Sequence, residues 1–263
     1  MEKGHRVKGS GEMSFKQLMV EAERRSGSRI ILALDSLPAS SRDLLSSGLE
    51  ILEEVHPYIC AVKLNRHLLL PLGLHDGVKR LIDEAHRRGL PVIMDCKIND
   101  IGYTNRVIAE NYFNAGFDAV TANPFVGWED GLQPVFEVAR EMNRGVILLV
   151  YMSHKSSWEG YGQIVYDPET GEKKPQYIIF AEKALAWNAD GAVVGGTYPE
   201  KIREVYAVLK KKVPIYSPGI GAQGGKIKAA VSAGSRYLII GRAITLSETP
   251  GEIAKRFRDE VET

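Results

Sequence analysis

The stretch Pro91-Val92-Ile93-Met94-Asp95-Cys96-Lys97-Ile98-Asn99-Asp100-Ile101 decides how the rest of the chain is read. It opens as an apolar, strand-like run and closes on three charges. A side-chain period of two points Asp95 and Lys97 to the same side, with Asp100 in the turn that follows. Ionisable groups on a buried strand are expensive unless paired. Alternating carboxylate and ammonium meets that cost, and the same arrangement can make a proton-transfer site.

Working outward, short apolar runs alternate with amphipathic stretches along the whole chain. Strands are expected at Ile30–Asp35, Ile59–Leu64, Pro91–Lys97, Asp118–Ala122, Gly145–Tyr151, Gly191–Gly195, Pro214–Ser217 and Tyr237–Gly241. Helices are expected between them, near 41–55, 75–88, 104–115, 129–143, 177–188, 199–211, 224–233 and 250–261. In 75–88, Leu74, Val78, Leu81, Ile82 and Ala85 share one face, and Gly89 with Pro91 punctuates the end. The segments Asn114–Val120, Asn188–Val193 and Ala233–Leu238 echo one another as helix ends leading into strands. Repeating βα units of this kind predict an α/β fold, a (β/α)8 TIM barrel over 29–263 with an N-terminal helical extension over 1–28. A doubly wound open sheet would want a Gly-rich turn after the first strand, and Leu34-Asp35-Ser36-Leu37-Pro38 has none. Met13–Arg25 reads as a helix packing on the barrel. Ser153–Gln176, rich in Gly, Ser, Lys, Glu and Tyr, reads as a mobile surface insertion or a lid.

Composition excludes several classes. The chain has 263 residues, 44% of them hydrophobic, and 34 basic against 33 acidic residues for a formal net charge of +1. That balance gives no global attraction to nucleic acid or to an anionic membrane, so any anion site is local. No apolar run is long enough to span a bilayer, and Met1–Arg6 leads into Gly and polar residues, so a cytoplasmic protein is expected. Cys60 and Cys96 lie in apolar runs and read as buried reduced thiols. The six histidines show no metal-ligand spacing, and Trp128, Trp158 and Trp187 are scattered without basic interleaving.

Barrel enzymes carry their chemistry at the C-terminal ends of the strands. The polar residues there are Asp35 on the first, Lys63 on the second, Asp95 and Lys97 on the third, Asn123 on the fourth and Ser153 after the fifth. Any one of them alone reads as a structural ion pair or a loop charge; their convergence on one mouth reads as a site. Two Gly-rich segments, Ser217-Pro218-Gly219-Ile220-Gly221-Ala222-Gln223-Gly224-Gly225 and Gly241-Arg242-Ala243-Ile244, follow the last two strands, where barrels commonly bind phosphate. Backbone N–H groups and the Arg242 guanidinium suit an anion there.

Together these residues resemble the orotidine 5′-phosphate decarboxylase family from about Ile31 to the end. The D-x-K-x-x-D-I signature is Asp95–Ile101, the first-strand aspartate is Asp35, the second-strand lysine is Lys63 and the Met-Ser-His segment is Met152-Ser153-His154. Some positions depart from the pattern: Gly102 stands where the family usually has proline, and Lys155-Ser156 replaces Pro-Gly, although Thr104 keeps its place. The resemblance implies decarboxylation of orotidine 5′-phosphate to UMP without metal or organic cofactor. It implies Lys97 as the proton donor, Asp95 beside the departing carboxylate, and Lys63 and Asp100 keeping the network in register. Asp35 and Lys63 would bind ribose, Ser153 the pyrimidine, and Pro218, Gln223, Gly241 and Arg242 the phosphate end. It further implies a homodimer in which Asp100, Ile101 and Thr104 reach the partner's site.

Two rival readings remain open. A related sugar-phosphate decarboxylase or aldolase uses magnesium, held by a glutamate at the second-strand end, where this chain has the cation Lys63. A non-catalytic nucleotide-binding barrel would have no need of the full charged set.

Overall fold

The structure, a computed structural model, describes residues 13–35, 44–168, 170–221 and 223–262. Residues 1–12 of the expected extension, Ser36, Leu37 and Pro38, the first turn of the helix expected from 41, and Ala222 of the Gly-rich loop lie outside the described residues.

Helix α1 (Phe15–Ser26) comes first, with Ser14 and Gln17 in a reciprocal capping box and Gly27 at φ 58° ending it. The strands are β1 (Ile30–Ala33), β2 (Ala61–Asn65), β3 (Val92–Ile98), β4 (Ala119–Ala122), β5 (Gly145–Tyr151), β6 (Ile164–Tyr166), β7 (Lys173–Pro175), β8 (Gly191–Val194), β9 (Ile215–Pro218) and β10 (Tyr237–Ile240). All but β6 and β7 close into a parallel barrel in the order β1-β2-β3-β4-β5-β8-β9-β10. Each expected barrel strand is present to within a few residues. The echoed segments are helix ends in left-handed backbone, at Gly116, Asn188 and Gly234, feeding β4, β8 and β10.

Alternation along the strands divides the core in two. Ile30 and Leu32, Val92 and Met94, and Val146, Leu148 and Val150 face outward to the helices. Ile31, Ala33, Ala61, Ile93, Ala119, Ile147, Leu149, Val193, Tyr216, Tyr237 and Ile239 fill the interior. Continuing the inward rows by one period reaches Asp35, Lys63, Asp95 and Thr121, a polar layer directly above an apolar one. Phe15, Met19 and Ala22 of α1 belong to the interior cluster, so α1 stoppers the N-terminal end of the barrel. Its fit there is tight, since the Phe15 ring lies 2.3 Å from where a Cβ on Gly145 would stand.

The outer helices are α2 (Leu44–Val55), α3 (Arg66–Leu72), α4 (Val78–Arg87), α5 (Gly102–Ala115), α6 (Gln133–Glu141), α7 (Ser157–Gly160), α8 (Gln176–Ala186), α9 (Pro199–Leu209), α10 (Ile227–Ala233), α11 (Arg242–Thr245) and α12 (Pro250–Glu262). Several boundaries differ from expectation. The helix expected at 75–88 is preceded by α3 and a wide turn over Gly73–Gly77. The one expected from 129 starts at Gln133, because Glu129 and Asp130 leave helical backbone and Pro134 sets the first turn. The segment 153–176 contains α7 and an antiparallel β6–β7 hairpin with Val165 opposite Lys174. A tyrosine cluster ties it to the barrel, with Tyr151 packing against Tyr161, Tyr177 and Tyr198. Trp128 and Trp187, far apart in sequence, meet at 5.1 Å. Cys60 and Cys96 are buried free thiols. Burial raises both, Cys96 to about 12. Among the described residues no helix is long and apolar enough to cross a membrane.

Replacing the stopper should be costly. Phe15→Ala is expected to lower unfolding free energy by about 3–5 kcal/mol, measured by the urea midpoint, with the far-ultraviolet spectrum unchanged.

Candidate active site

The inward polar layer is one connected network. Lys63 Nζ donates to Asp35 Oδ2 at 2.6 Å and to Asp95 Oδ2 at 3.0 Å. Asp95 Oδ2 also accepts from Asn65 Nδ2 at 3.3 Å. Asp95 Oδ1 accepts from Lys97 Nζ at 2.7 Å and from Thr121 Oγ1 at 3.0 Å. Four donors thus surround one carboxylate, and carboxylate alternates with ammonium from Asp35 through Lys63 and Asp95 to Lys97.

Burial sets the electrostatics. The Lys63 side chain is 6% exposed and that of Asp95 14%. Burial alone would depress the Lys63 ammonium, but the Asp95 and Asp35 carboxylates outweigh it and hold its pKa above the usual lysine value. Burial alone would raise Asp95, yet the Lys63 and Lys97 charges and their hydrogen bonds hold it well below the usual carboxylate range. Both groups therefore stay ionised.

Lys97 reaches this network through irregular backbone. Pairing between β3 and β4 shifts register between Met94 and Ile98, and Lys97 sits at φ 51°. A left-handed lysine costs energy and persists only where its surroundings enforce it. Here its N–H donates to Thr121 Oγ1 at 2.9 Å and its Nζ to Asp95. The simple period-two argument put Lys97 on the correct side, but a bulge aims it.

The network floors a cavity of about 230 Å³ at the barrel mouth, lined also by Met152, Ser153, Pro218, Gly219, Gln223, Gly241 and Arg242. Expected residues from β1, β2, β3, the β5 end and both Gly-rich loops therefore meet. Gly219, at φ 90°, is the tight point: a Cβ there would stand 2.8 Å from both Gln223 Oε1 and Ser153 Cβ. Arg242 is exposed, and its guanidinium makes no ion pair or hydrogen bond with another described residue. Asp35 Oδ1 is buried without a hydrogen-bond partner. An acceptor in that state points to a ligand hydroxyl or amide.

Asp100, Ile101 and Thr104 do not line this cavity. Asp100 is exposed, with Oδ1 accepting from Ile101 N at 2.7 Å, and Ile101 is 71% exposed. Thr104 lies half-buried in the first turn of α5. Gly102, in the family's proline position, abuts the Asp130 backbone, where a Cβ would come 3.1 Å from the carbonyl oxygen. Asn105 braces the same loop, accepting from Asp100 N at 3.0 Å and donating to Gly131 O at 2.9 Å.

Several site residues escaped the sequence reading. Thr121, not Asn123, is the polar contribution of β4; Asn123 instead caps the turn at Pro124–Val126, accepting from Phe125 N at 3.1 Å. Asn65 follows Lys63 by one period, and His67 hydrogen-bonds the Asp35 carbonyl oxygen. Gly195-Gly196-Thr197-Tyr198, after β8, holds the Ser153 segment: Thr197 Oγ1 donates to Ser153 O at 3.1 Å and Tyr198 OH to His154 O at 3.0 Å. Thr121 and Asn65 had a signal, since both extend inward rows.

Residues 28–257 match the orotidine 5′-phosphate decarboxylase / HUMPS family. The chain belongs to this family. Relatives named orotidine 5′-phosphate decarboxylase include one from Pyrococcus abyssi, 36% identical over 232 residues, covering 88% of this chain and 98% of the relative. Another, from Pyrococcus horikoshii, is 37% identical over 232 residues, covering 88% and 98%. Among solved structures, orotidine 5′-monophosphate decarboxylase from Methanocaldococcus jannaschii complexed with the inhibitor BMP has a TM-score of 0.76 at 30% identity, covering 90% of this chain and 99% of that one. As a member of the orotidine 5′-phosphate decarboxylase / HUMPS family, the chain carries the D-x-K-x-x-D segment with Asp95 and Lys97 in the cavity and Asp100 outside it.

The Asp95 environment makes a pH prediction. A carboxyl depressed in the folded state contributes stability that is fully present above its unfolded pKa, about 3.9, and is lost as the pH falls through its folded value. Urea midpoints between pH 2 and 6 should therefore fall less steeply toward acid in Asp95→Asn than in the wild type; parallel curves would refute the depressed carboxyl.

Proposed function

We propose that this chain decarboxylates orotidine 5′-phosphate to UMP and carbon dioxide, supplying pyrimidine nucleotide biosynthesis, without metal or organic cofactor. The observation that carries the reading is the Lys63 ammonium lodged between Asp35 and Asp95. Family membership alone leaves open the magnesium-dependent sugar-phosphate reaction. Magnesium binds oxygen ligands at about 2.0–2.1 Å. A cation bridging these carboxylates would have to displace or abut an ammonium already 2.6 and 3.0 Å from them. The relatives' names favour the same choice.

The chemistry follows from the charges. Heterolysis of the bond between C6 and the carboxylate releases carbon dioxide and leaves the electron pair at C6, with no adjacent π-system to absorb it. Lys97 stabilises that pair electrostatically and then gives it a proton, forming the C6–H bond of UMP. Its ammonium is preorganised by Asp95, so little reorganisation accompanies the step. Asp95, kept anionic by four donors, stands beside the departing carboxylate and disfavours the charged ground state more than the transition state.

Binding is divided around the mouth. Asp35, with a free acceptor, and Lys63 hold the ribose hydroxyls; Ser153 meets the pyrimidine amide edge. Pro218, Gln223, Gly241 and Arg242 form the phosphate end, where an unpaired guanidinium suits a dianion. Energy from that remote phosphate closes the 218–226 loop and is expressed in the transition state. Asp100, Ile101 and Thr104 complete the site of a second copy, which accounts for the exposure of Asp100 and Ile101 outside their own cavity. The active unit is a homodimer in the cytoplasm.

Purified protein is expected to convert orotidine 5′-phosphate to UMP with EDTA present, followed by ultraviolet absorbance; activity confined to a sugar phosphate with magnesium would overturn the reading. Lys97→Ala should lose at least about a thousandfold in kcat, above the usual 10²–10⁴ range's lower end for acid–base groups, while still binding UMP. Mixing inactive Lys97→Ala with inactive Asp100→Ala subunits should restore part of the activity through heterodimers. No recovery despite verified subunit exchange would refute the composite site.

A further inference from the structure

At the opposite end of the barrel a second cavity, about 520 Å³, opens beside α1 and beneath the starts of β9 and β10. Its volume falls in the usual range for small-molecule sites, about 300–1,000 Å³. Four cations line it: Lys16, Lys211, Lys212 and Arg236. Two carboxylates offset them. Lys16 Nζ is 3.9 Å from Asp190 Oδ1, and Arg236 pairs with Glu23 at 2.6 and 2.7 Å. The side chains of Lys211 and Lys212 have no ion-pair or hydrogen-bond partner among the described residues. A local surplus of positive charge therefore stands at this cavity on a chain whose net charge is +1.

Two further features separate the cavity from an ordinary basic surface. Lys210 and Lys211 both hold left-handed backbone, at φ 49° and 66°, and the turn they make brings Lys211 and Lys212 to the cavity edge. Successive non-glycine residues seldom adopt that conformation, and such outliers gather at functional sites. The second feature is Tyr216. It is 1% exposed, its ring lies 4.9 Å from that of Tyr237, and it lines both this cavity and the one at the mouth, standing between them. Its hydroxyl makes no hydrogen bond with any described residue and is not one of the fully buried unpaired atoms, so it opens onto accessible space. A phenol hydroxyl open to a cavity is free to bond a ligand.

We infer that the lower cavity binds a phosphate-bearing aromatic ligand of the nucleotide type, separately from the barrel mouth. The free lysines meet the phosphates, the Tyr206 and Tyr237 rings and the apolar floor of Val213 and Ile215 take the ring, and the Tyr216 hydroxyl gives a polar contact. The proposal does not depend on the reaction at the mouth.

The test is calorimetric titration of the full-length protein with ATP and, separately, with inorganic tripolyphosphate. ATP should bind saturably, and Lys211→Glu/Lys212→Glu should weaken it at least tenfold without changing the thermal midpoint. Arg242→Ala, altered at the mouth, should leave it within twofold. Tyr216→Phe should weaken it severalfold at unchanged thermal stability, because the hydroxyl has no internal bond to lose. Tripolyphosphate should bind at least fivefold more weakly than ATP. The proposal is overturned by absence of saturable ATP binding, by binding that survives the double lysine variant, or by binding lost in Arg242→Ala. Equal affinity for tripolyphosphate overturns the aromatic half, and wild-type affinity in Tyr216→Phe overturns the phenol contact.

Discussion

The ion pair that Lys63 makes with Asp35 and Asp95 is the constraint on which the mouth of this barrel depends. A lysine buried to this depth is tenable only between anions, and each of those anions is tenable only beside a cation. The dependence propagates. Asp95 cannot turn away, because Lys63 and Asn65 hold one oxygen while Lys97 and Thr121 hold the other. Lys97 in turn keeps its left-handed backbone because Thr121 and Asp95 secure both of its ends. Four strands are thereby locked to one another at their C-terminal ends by polar groups instead of by apolar packing.

Across the mouth a different kind of order prevails. The loops there are joined through backbone: Gly195 N donates to Tyr151 O at 2.7 Å, and Gly196 N donates to Pro218 O at 2.7 Å. Within the Gly-rich loop, Gly225 N donates to Gly219 O at 3.1 Å. The segment after β8 thus splices the Ser153 turn to the 218–225 loop. One side of the cavity is held by ion pairs between side chains, while the other is glycine-rich, held by main-chain hydrogen bonds, and carries the unpaired Arg242 guanidinium.

How much of this was legible follows from the kind of signal each residue gives. Barrel strands were readable because parallel strands buried on both faces are continuous apolar runs, as in Gly145–Tyr151. Asp35, Lys63, Asp95 and Lys97 were readable because a charge at the end of such a run demands an explanation. Thr121 and Asn65 make no such demand, being neutral and common on strands, although the inward period contained them. Thr197 and Tyr198 act through hydroxyls on main-chain carbonyls, contacts that only the folded chain creates. The β6–β7 hairpin is a different case. Its β-branched and aromatic Ile164-Val165-Tyr166 and the Asp167-to-Gly171 turn were present in the sequence, but Lys and Glu on the facing strand masked them. The bulge at Lys97 was not readable, because nothing in a lysine announces positive φ.

The stopper at the base has a consequence for traffic. With Phe15, Met19 and Ala22 filling the interior from below, the barrel is a cup with one rim. Whatever enters the catalytic cavity must leave by the mouth it entered, a gas molecule as well as a nucleotide. A blind vessel of this kind makes arrival and departure share one route. The N-terminal helix, at the far end of the barrel from the charged network, thereby leaves the mouth as the way in and the way out.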